Sequence, residues 1–235
     1  MKRPADRPMT RLPATRALIL GDGSVPPVAR LDAVWPGWSD GIDLVIAADG
    51  GARHAAAIGR ALDLWVGDGD SIGESGLAAI AAAGIPIERS PVDKDESDTE
   101  LALLAALEAG ARHITILGAL GGERIDHGLA NVWLLGHPGL AGCDVRLLDG
   151  TVRIRLIGPG RADLGGRVGD LVTLLPFAGD ASGLTTDGLR YPLRDEFLRS
   201  GPSRGLSNVR IANDAVLTVG AGRILVVETP ATFSE

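Results

Sequence analysis

The sequence predicts an α/β fold: an N-terminal, mostly parallel sheet with helices on both faces, followed by a smaller C-terminal all-β unit of sandwich type. Three observations predict it. Short apolar runs (RALIL, LVIAA, LWV, HITIL) each end in a polar, glycine-rich loop, and alanine- and leucine-rich helical stretches lie between them. That alternation marks a parallel sheet covered on both sides. The rhythm changes near Asp149, after which short runs are separated by Gly, Pro and Asp. Finally, 235 residues with 45% hydrophobic content suffice for one large domain or two small ones.

Taken in order, residues 1–15 are basic and Pro-rich with no apolar core behind them. They predict a disordered leader, not a signal peptide. Residues 16–150 form the α/β unit. Arg16–Leu20 is a strand ended by Gly21-Asp22-Gly23-Ser24, and Leu44–Ala48 is a second, ended by Asp49-Gly50-Gly51. Alanine-rich helical sequence continues to Ile58. Leu64–Val66 is the third strand and runs into Gly67-Asp68-Gly69-Asp70-Ser71. Leu77–Ala83 is a short helix closed by Gly84, and Ile85–Glu88 a further strand. Ser97-Asp98-Thr99-Glu100 has the spacing of a capping box, with Ser97 as N-cap of a helix over Leu101–Ala109. His113–Leu117 is a strand, Asp126–Leu135 a helix and Val145–Leu148 the last strand of this half.

Residues 151–235 form the second unit. Asp149-Gly150 between apolar runs is a strong hairpin signal. Strands are expected at Leu171–Leu175, Leu184–Thr186, Val209–Ile211, Ala215–Val219 and Ile224–Val227, with a hairpin turn at Val219-Gly220-Ala221-Gly222. Such a pattern predicts a sandwich or partial barrel.

Composition excludes several function classes. A net charge of −7 argues against a general nucleic-acid binder. The single cysteine, Cys143, excludes an internal disulfide framework and suits a reducing cytoplasm. No apolar run approaches the roughly 20 residues of a membrane span.

Ligands of open α/β sheets sit at the carboxyl ends of the strands. The polar loops of the first half fall there. Asp68 and Asp70, two apart on extended backbone, lie on one side of the chain. They read either as solvated turn residues or as ligands of a hard dication such as Mg²⁺. Asp95 and Asp98 precede a helix and can face the same site. Lys94 and Arg124 are candidate phosphate ligands, the first a point charge and the second a fork. His54 and His127 pair with no Ser or Cys in a nucleophile pattern. No zinc spacing, P-loop or dinucleotide fingerprint is present. These residues reach a metal-dependent, phosphate-handling enzyme on an α/β sheet, and stop short of a substrate.

In order, the motifs Ala48–Ala52 (ADGGA), Gly67–Ser71 (GDGDS), Lys94–Glu100 (KDESDTE) and Gly118–Asn131 (GALGGERIDHGLAN) resemble the thiamine pyrophosphokinase family. Gly179–Gly188, Tyr191-Pro192-Leu193 and Gly205-Leu206-Ser207-Asn208 extend the resemblance to about residues 16–228. The resemblance implies a nucleotide-binding α/β domain, a thiamine-binding β domain, and a homodimer with its active site between subunits. It implies transfer of the diphosphoryl group of ATP to the thiamine hydroxyl, giving thiamine diphosphate and AMP. Asp68, Asp70 and Asp98 are then the catalytic, Mg²⁺-holding residues. Asp49, Gly50, Arg124, Asp126 and His127 resemble the nucleotide side, and Ser207 and Asn208 the thiamine side.

The chain departs from the family pattern at three points. Gly69 replaces a bulky residue between the two aspartates, which predicts a looser loop. Ser97 replaces a threonine and keeps its hydroxyl. Glu123 is an added residue before Arg124. Three other readings compete: a diphosphokinase acting on a hydroxymethyl heterocycle such as a pterin, a non-catalytic nucleotide- or thiamine-binding module, and a metal-dependent phosphohydrolase.

Overall fold

The computed structural model describes residues 16–122 and 124–231; the predicted leader and Glu123 lie outside them. The parallel strands are β1 (Arg16–Leu20), β2 (Leu44–Ala48), β3 (Leu64–Gly67), β4 (Ile87–Arg89), β5 (His113–Leu117) and β6 (Asp144–Leu148). They lie side by side in the order β4-β3-β2-β1-β5-β6. Order therefore reverses between β1 and β5, the switch point where such sheets open a crevice.

Both faces are covered, as predicted. Helix α3 (Asp98–Glu108) buries Ala102, Leu103 and Ala106 against Ile19, Ile46 and Ile116, and α4 (Ile125–Leu134) packs on the same side. On the other face, α1 (Val28–Val34) brings Leu31, Val34 and the following Trp35 onto Leu18, Leu20 and Leu117. There α2 (Gly73–Ala82) brings Leu77 and Ile80 onto Trp65. Helix α1 escapes the sequence reading because it is seven residues long and starts after Pro27 with no side-chain cap. The helix expected through Ile58 is a 3-10 turn over Asp49–His54 followed by looser turns. Gly50 and Gly51 press against Asp22 and the Leu20 carbonyl, with no room for a Cβ at either position.

The Asp149-Gly150 turn joins β6 to β7 (Arg153–Ile157) as an antiparallel pair, with the Asp149 amide bonded to the Val152 carbonyl at 2.9 Å. Consequently the large sheet does not stop at residue 150. It continues through β7, β14 (Ile224–Thr229), β9 (Leu171–Pro176) and β12 (Asn208–Val209), for ten strands in all among the described residues. A second sheet of β8 (Gly160–Asp163), β13 (Val216–Val219), β10 (Ala181–Asp187) and β11 (Glu196–Leu198) covers this antiparallel end. Leu174, Leu184, Leu217, Ile224 and Val226 fill the sandwich between them.

The Val219–Gly222 turn is not a hairpin. Strand β13 belongs to the small sheet and β14 to the large one, and the turn crosses between them. Gly220 and Ala221 donate to the Ser182 carbonyl, and Gly220 packs against Gly183. The two ends of the large sheet are tied at the seam. Trp35 Nε1 donates to the Asp149 carbonyl at 2.7 Å, and the Arg153 guanidinium lies 5.0 Å from the Trp35 ring centre. Buried Glu228 accepts from Arg153 at 2.6 Å and Arg155 at 3.3 Å.

Candidate active site

The carboxyl ends of β2 and β3 lie side by side, since Ala48 is paired with Val66. The residues that follow, Asp49 and Asp68-Gly69-Asp70, are therefore brought together. Asp49 sits at φ 41, a left-handed conformation that aspartate tolerates better than most residues. It is held there by Trp65 Nε1, which donates to its carbonyl at 3.0 Å, and by the Ser71 amide, which donates to its Oδ2 at 3.0 Å. Gly67 is required beneath it: a Cβ there would lie 2.9 Å from the Asp49 Cβ.

Asp49 is 2% exposed, and its Oδ1 is buried without a hydrogen-bond partner. Burial pushes its carboxyl up to about 6, against the lowering effect of the Ser71 amide. One oxygen each from Asp49, Asp68 and Asp70 lie within 4.8 Å of one another. Three converging carboxylates, one of which carries an orphaned oxygen, fit a small dication better than they fit each other.

Asp68 links this trio to a cation. Its Oδ1 accepts from the Asp70 amide at 3.0 Å, and its Oδ2 from Lys94 Nζ at 3.0 Å. Those bonds, the Asp70 amide first and then Lys94, hold its carboxyl below the usual range. Lys94 also reaches Asp98 Oδ1 at 2.9 Å. Burial alone would lower the Lys94 ammonium, but the bonds to Asp98 and Asp68 outweigh it and raise it. Asp98 opens α3, and Ser97 caps that helix by accepting from the Glu100 amide at 3.2 Å. The serine thus keeps the capping role expected of it.

The Gly69 loop is not loose. Gly69 has φ +90, and a Cβ there would lie 2.7 Å from Leu77 Cδ1. Leu77 of α2 fills the room a larger residue would take, and the Asp68–Asp70 hydrogen bond closes the turn.

At the switch point the loops after β1 and β5 are bonded together by backbone. Gly21 donates to the Leu117 carbonyl and Gly23 to the Gly118 carbonyl, each at 2.8 Å, and Ser24 to the Gly121 carbonyl at 3.1 Å. Asn131 of α4 anchors that loop by donating to the Ala119 carbonyl at 2.9 Å. Arg53 pairs with Asp22 across the loop ends, a contact that no sequence spacing announced. Burial and the neighbouring Arg53 lower the imidazole pKa of His54.

The structure gathers Asp49, Asp68, Asp70, Lys94 and Asp98 and leaves the rest of the expected set apart from them. Gly50 follows Asp49, packed on Asp22. Arg124, Asp126 and His127 are exposed at the start of α4, where Arg124 Nε donates to Asp126 Oδ1 at 2.9 Å. That pairing holds the Asp126 carboxyl down at about 2. Asp95 is exposed and outside the cluster.

Ser207 and Asn208 lie at the opposite edge of the large sheet. Eight strand spacings separate β12 from β3, or roughly 40 Å along the sheet at the usual ~4.8 Å each. Ser207 has φ 56 and an exposed side chain, while its amide donates to Thr173 Oγ1 at 3.0 Å. Asn208 is buried, and its amide group is occupied. Its Oδ1 accepts from the Tyr191 and Val209 amides, and its Nδ2 donates to the Tyr191 carbonyl at 2.7 Å. A groove of about 210 Å³ lined by Pro176, Phe197, Leu198, Arg204 and Gly205 adjoins this segment.

Two family models match the chain. Residues 38–146 match the catalytic domain of thiamin pyrophosphokinase, and residues 162–224 its vitamin B1 binding domain. The chain is 30% identical over 164 residues to the thiamine pyrophosphokinase of Bacillus subtilis, covering 69% of this chain and 76% of the relative. The crystal structure of thiamine pyrophosphokinase from Bacillus subtilis superposes with a TM-score of 0.80 at 27% identity, covering 92% of this chain and 99% of that one. The thiamin pyrophosphokinase family protein of Enterococcus faecalis gives 0.76 at 27% identity, with the same coverage of both chains. Yeast thiamin pyrophosphokinase, at 15% identity, shares the fold with a TM-score of 0.73 over 94% of this chain and 88% of its own.

Proposed function

The chain belongs to the thiamin pyrophosphokinase family and is an enzyme of that type, and from that premise we propose that it transfers the diphosphoryl group of ATP to the hydroxyl of thiamine, giving thiamine diphosphate and AMP. The observation that carries the proposal is the meeting of Asp49, Asp68 and Asp70 at the ends of β2 and β3, within the segment that matches a catalytic domain. Bound there, Mg²⁺ would neutralise charge on the phosphate oxygens and hold the polyphosphate for in-line attack. Asp49, Asp68 and Asp70 are the residues proposed to hold it, with Asp98 adjoining through Lys94. Asp98 is also proposed to orient the thiamine hydroxyl or take its proton, a role that suits an ionised carboxylate. Arg124, Asp126 and His127 are proposed on the nucleotide side, next to the loop bonded to Gly23 and Ser24.

We further propose a homodimer in which one subunit's acidic cluster faces the partner's thiamine-binding edge. A separation on the order of 40 Å between β3 and β12 supports this, because one thiamine cannot touch both within a chain. Exposed Tyr191, Phe197, Leu206 and Ile211 around the β12 edge supply apolar surface for such a contact. No helix among the described residues is long and apolar enough to cross a membrane, and a reducing cytoplasm is the proposed setting.

Incubation with ATP and Mg²⁺, with and without thiamine, tests the reading. AMP and thiamine diphosphate are expected only when thiamine is present. Free phosphate from ATP alone would favour a phosphohydrolase, and AMP formed only with a hydroxymethylpterin would favour the related diphosphokinase. Light scattering of the active protein should give the mass of two chains.

A further inference from the structure

The chain carries 23 lysines and arginines, and only Lys2 and Lys94 are lysines. A sequence that uses arginine almost everywhere keeps an ammonium at its acidic cluster. The side chain of Lys94 is 11% exposed and bonded to two carboxylates, those of Asp68 and Asp98. Its backbone lies in the loop between β4 and α3, outside helix and strand. An arginine there could grip the carboxylates with a rigid fork. Lysine offers a compact charge on a flexible four-carbon stem, which can be aimed elsewhere without moving the chain.

The Asp68 carboxylate has both oxygens engaged, one by the Asp70 amide and one by Lys94, while the Asp49 Oδ1 beside it is orphaned. A dication that took an oxygen from each member of the trio would come within a few ångströms of the Lys94 ammonium. Two cations that close, in a partly buried site, repel strongly. The two cannot both sit on Asp68.

We propose that Lys94 is a placeholder cation, which neutralises Asp68 and Asp98 in the metal-free protein and withdraws from Asp68 as Mg²⁺ enters. The exchange makes binding of the bare metal weak. It makes binding of the metal with a polyphosphate stronger, because the displaced ammonium then has phosphate oxygens to pair with. The inference rests on the proposed Mg²⁺-dependent function.

The scarcity of lysine provides the test. Reductive methylation followed by peptide mass spectrometry reads Lys94 against Lys2 and the α-amine, without any measure of activity. Lys94 should react slowly in the metal-free protein and about tenfold faster at saturating Mg²⁺, relative to Lys2. Calorimetric titration without nucleotide should show Lys94→Met binding Mg²⁺ about three- to thirtyfold more tightly than the wild type. Lys94→Arg, which keeps the charge, should show no such gain. Mg²⁺ binding with Lys94 reactivity unchanged or reduced overturns the placeholder role and leaves the proposed function standing. So does weaker Mg²⁺ binding by Lys94→Met, which would make Lys94 a positioner of Asp68. Failure of both wild type and Lys94→Met to bind Mg²⁺ would overturn the inference and the metal-dependent reading together.

Discussion

The two ends of the large sheet solve opposite problems. At the parallel end, the chain crowds like charges at β2 and β3, buries one of them, and balances the group with one ammonium. At the antiparallel end it does the reverse. On β12 itself the buried polar side chain is neutral: Asn208 is taken up by the Tyr191 and Val209 backbone, and the charge beside it is the buried guanidinium of Arg210. The parallel end is held in a state that a cation would relieve. At the β12 edge the Asn208 side chain is already satisfied, and the edge presents exposed Ser207 and a groove whose lining joins Pro176, Phe197 and Leu198 to Arg199 and Arg204. Negative charge is concentrated where the polyphosphate is proposed to bind, and neutral hydrogen-bonding groups beside arginines where the heterocycle is.

That contrast predicts the largest effect at the parallel end. Asp68→Asn and Asp70→Asn keep size and shape and remove one charge each. Each should lower kcat by about a hundred- to ten-thousandfold, the scale on which removal of transition-state charge stabilisation is felt. Circular dichroism and melting temperature should stay close to wild type, because neither aspartate is in the apolar core. Steady-state rates decide it: near-normal turnover in both variants would remove them from the metal site and erase the contrast.

The ends also differed in how legible they were. Five of the six parallel strands are visible as apolar runs ended by a polar, glycine-containing loop, because a strand buried on both faces must be apolar along its length; the exception is the exposed edge strand β4 (IER). The approach of Asp49 to Asp68 and Asp70 was not visible, since it depends on β2 and β3 being neighbours and in register. Sequence reading therefore left Asp49 with the nucleotide group. At the other end the strands β8 (GRAD) and β11 (EFL) carry no apolar pattern and were missed. Strand β12 was displaced by two residues at its far end for the same reason. The Asp149-Gly150 hairpin announces the step into β7, but the continuation into β14 and β9 rests on pairings across 48 to 75 residues, which local pattern does not encode. The sequence also marked Ser207 and Asn208 as one unit, and their environments separate them: one side chain is exposed, the other is fully engaged.

That separation gives the intermediate effect. Ser207→Ala should raise the thiamine KM roughly five- to a hundredfold, the equivalent of a buried hydrogen bond of about 1–3 kcal/mol formed when substrate binds. The ATP KM should hold, and so should the melting temperature, because the Ser207 amide and not its hydroxyl makes the contact to Thr173. Asn208→Ala should instead lower the melting temperature, by orphaning the Tyr191 and Val209 backbone. Equal rises in both KM values for Ser207→Ala would take the β12 edge out of thiamine binding.

The smallest effect concerns the strain left at the parallel end by Asp49. Its carboxyl is raised from 3.8 to about 6, so the folded protein binds that proton more tightly than the unfolded chain does. The stabilisation from protonated Asp49 is complete below about pH 3.8. It is lost as pH rises through about 6, and above that the ionised, buried carboxylate is a standing penalty in the metal-free protein. Asp49→Asn keeps an oxygen to accept from Ser71 and tolerates φ 41, while removing the charge. Comparison of one variant at two pH values cancels whatever else the substitution does. Between pH 4.5 and 7.5, the stability of Asp49→Asn relative to wild type should improve by about 1–2 kcal/mol in urea melts without metal. With Mg²⁺ at pH 7.5 the order should reverse, because only the wild type offers the third carboxylate oxygen. A stability difference independent of pH would mean that the Asp49 carboxyl is not under strain, and its contrast with the fully engaged Asn208 at the other end of the sheet would be lost.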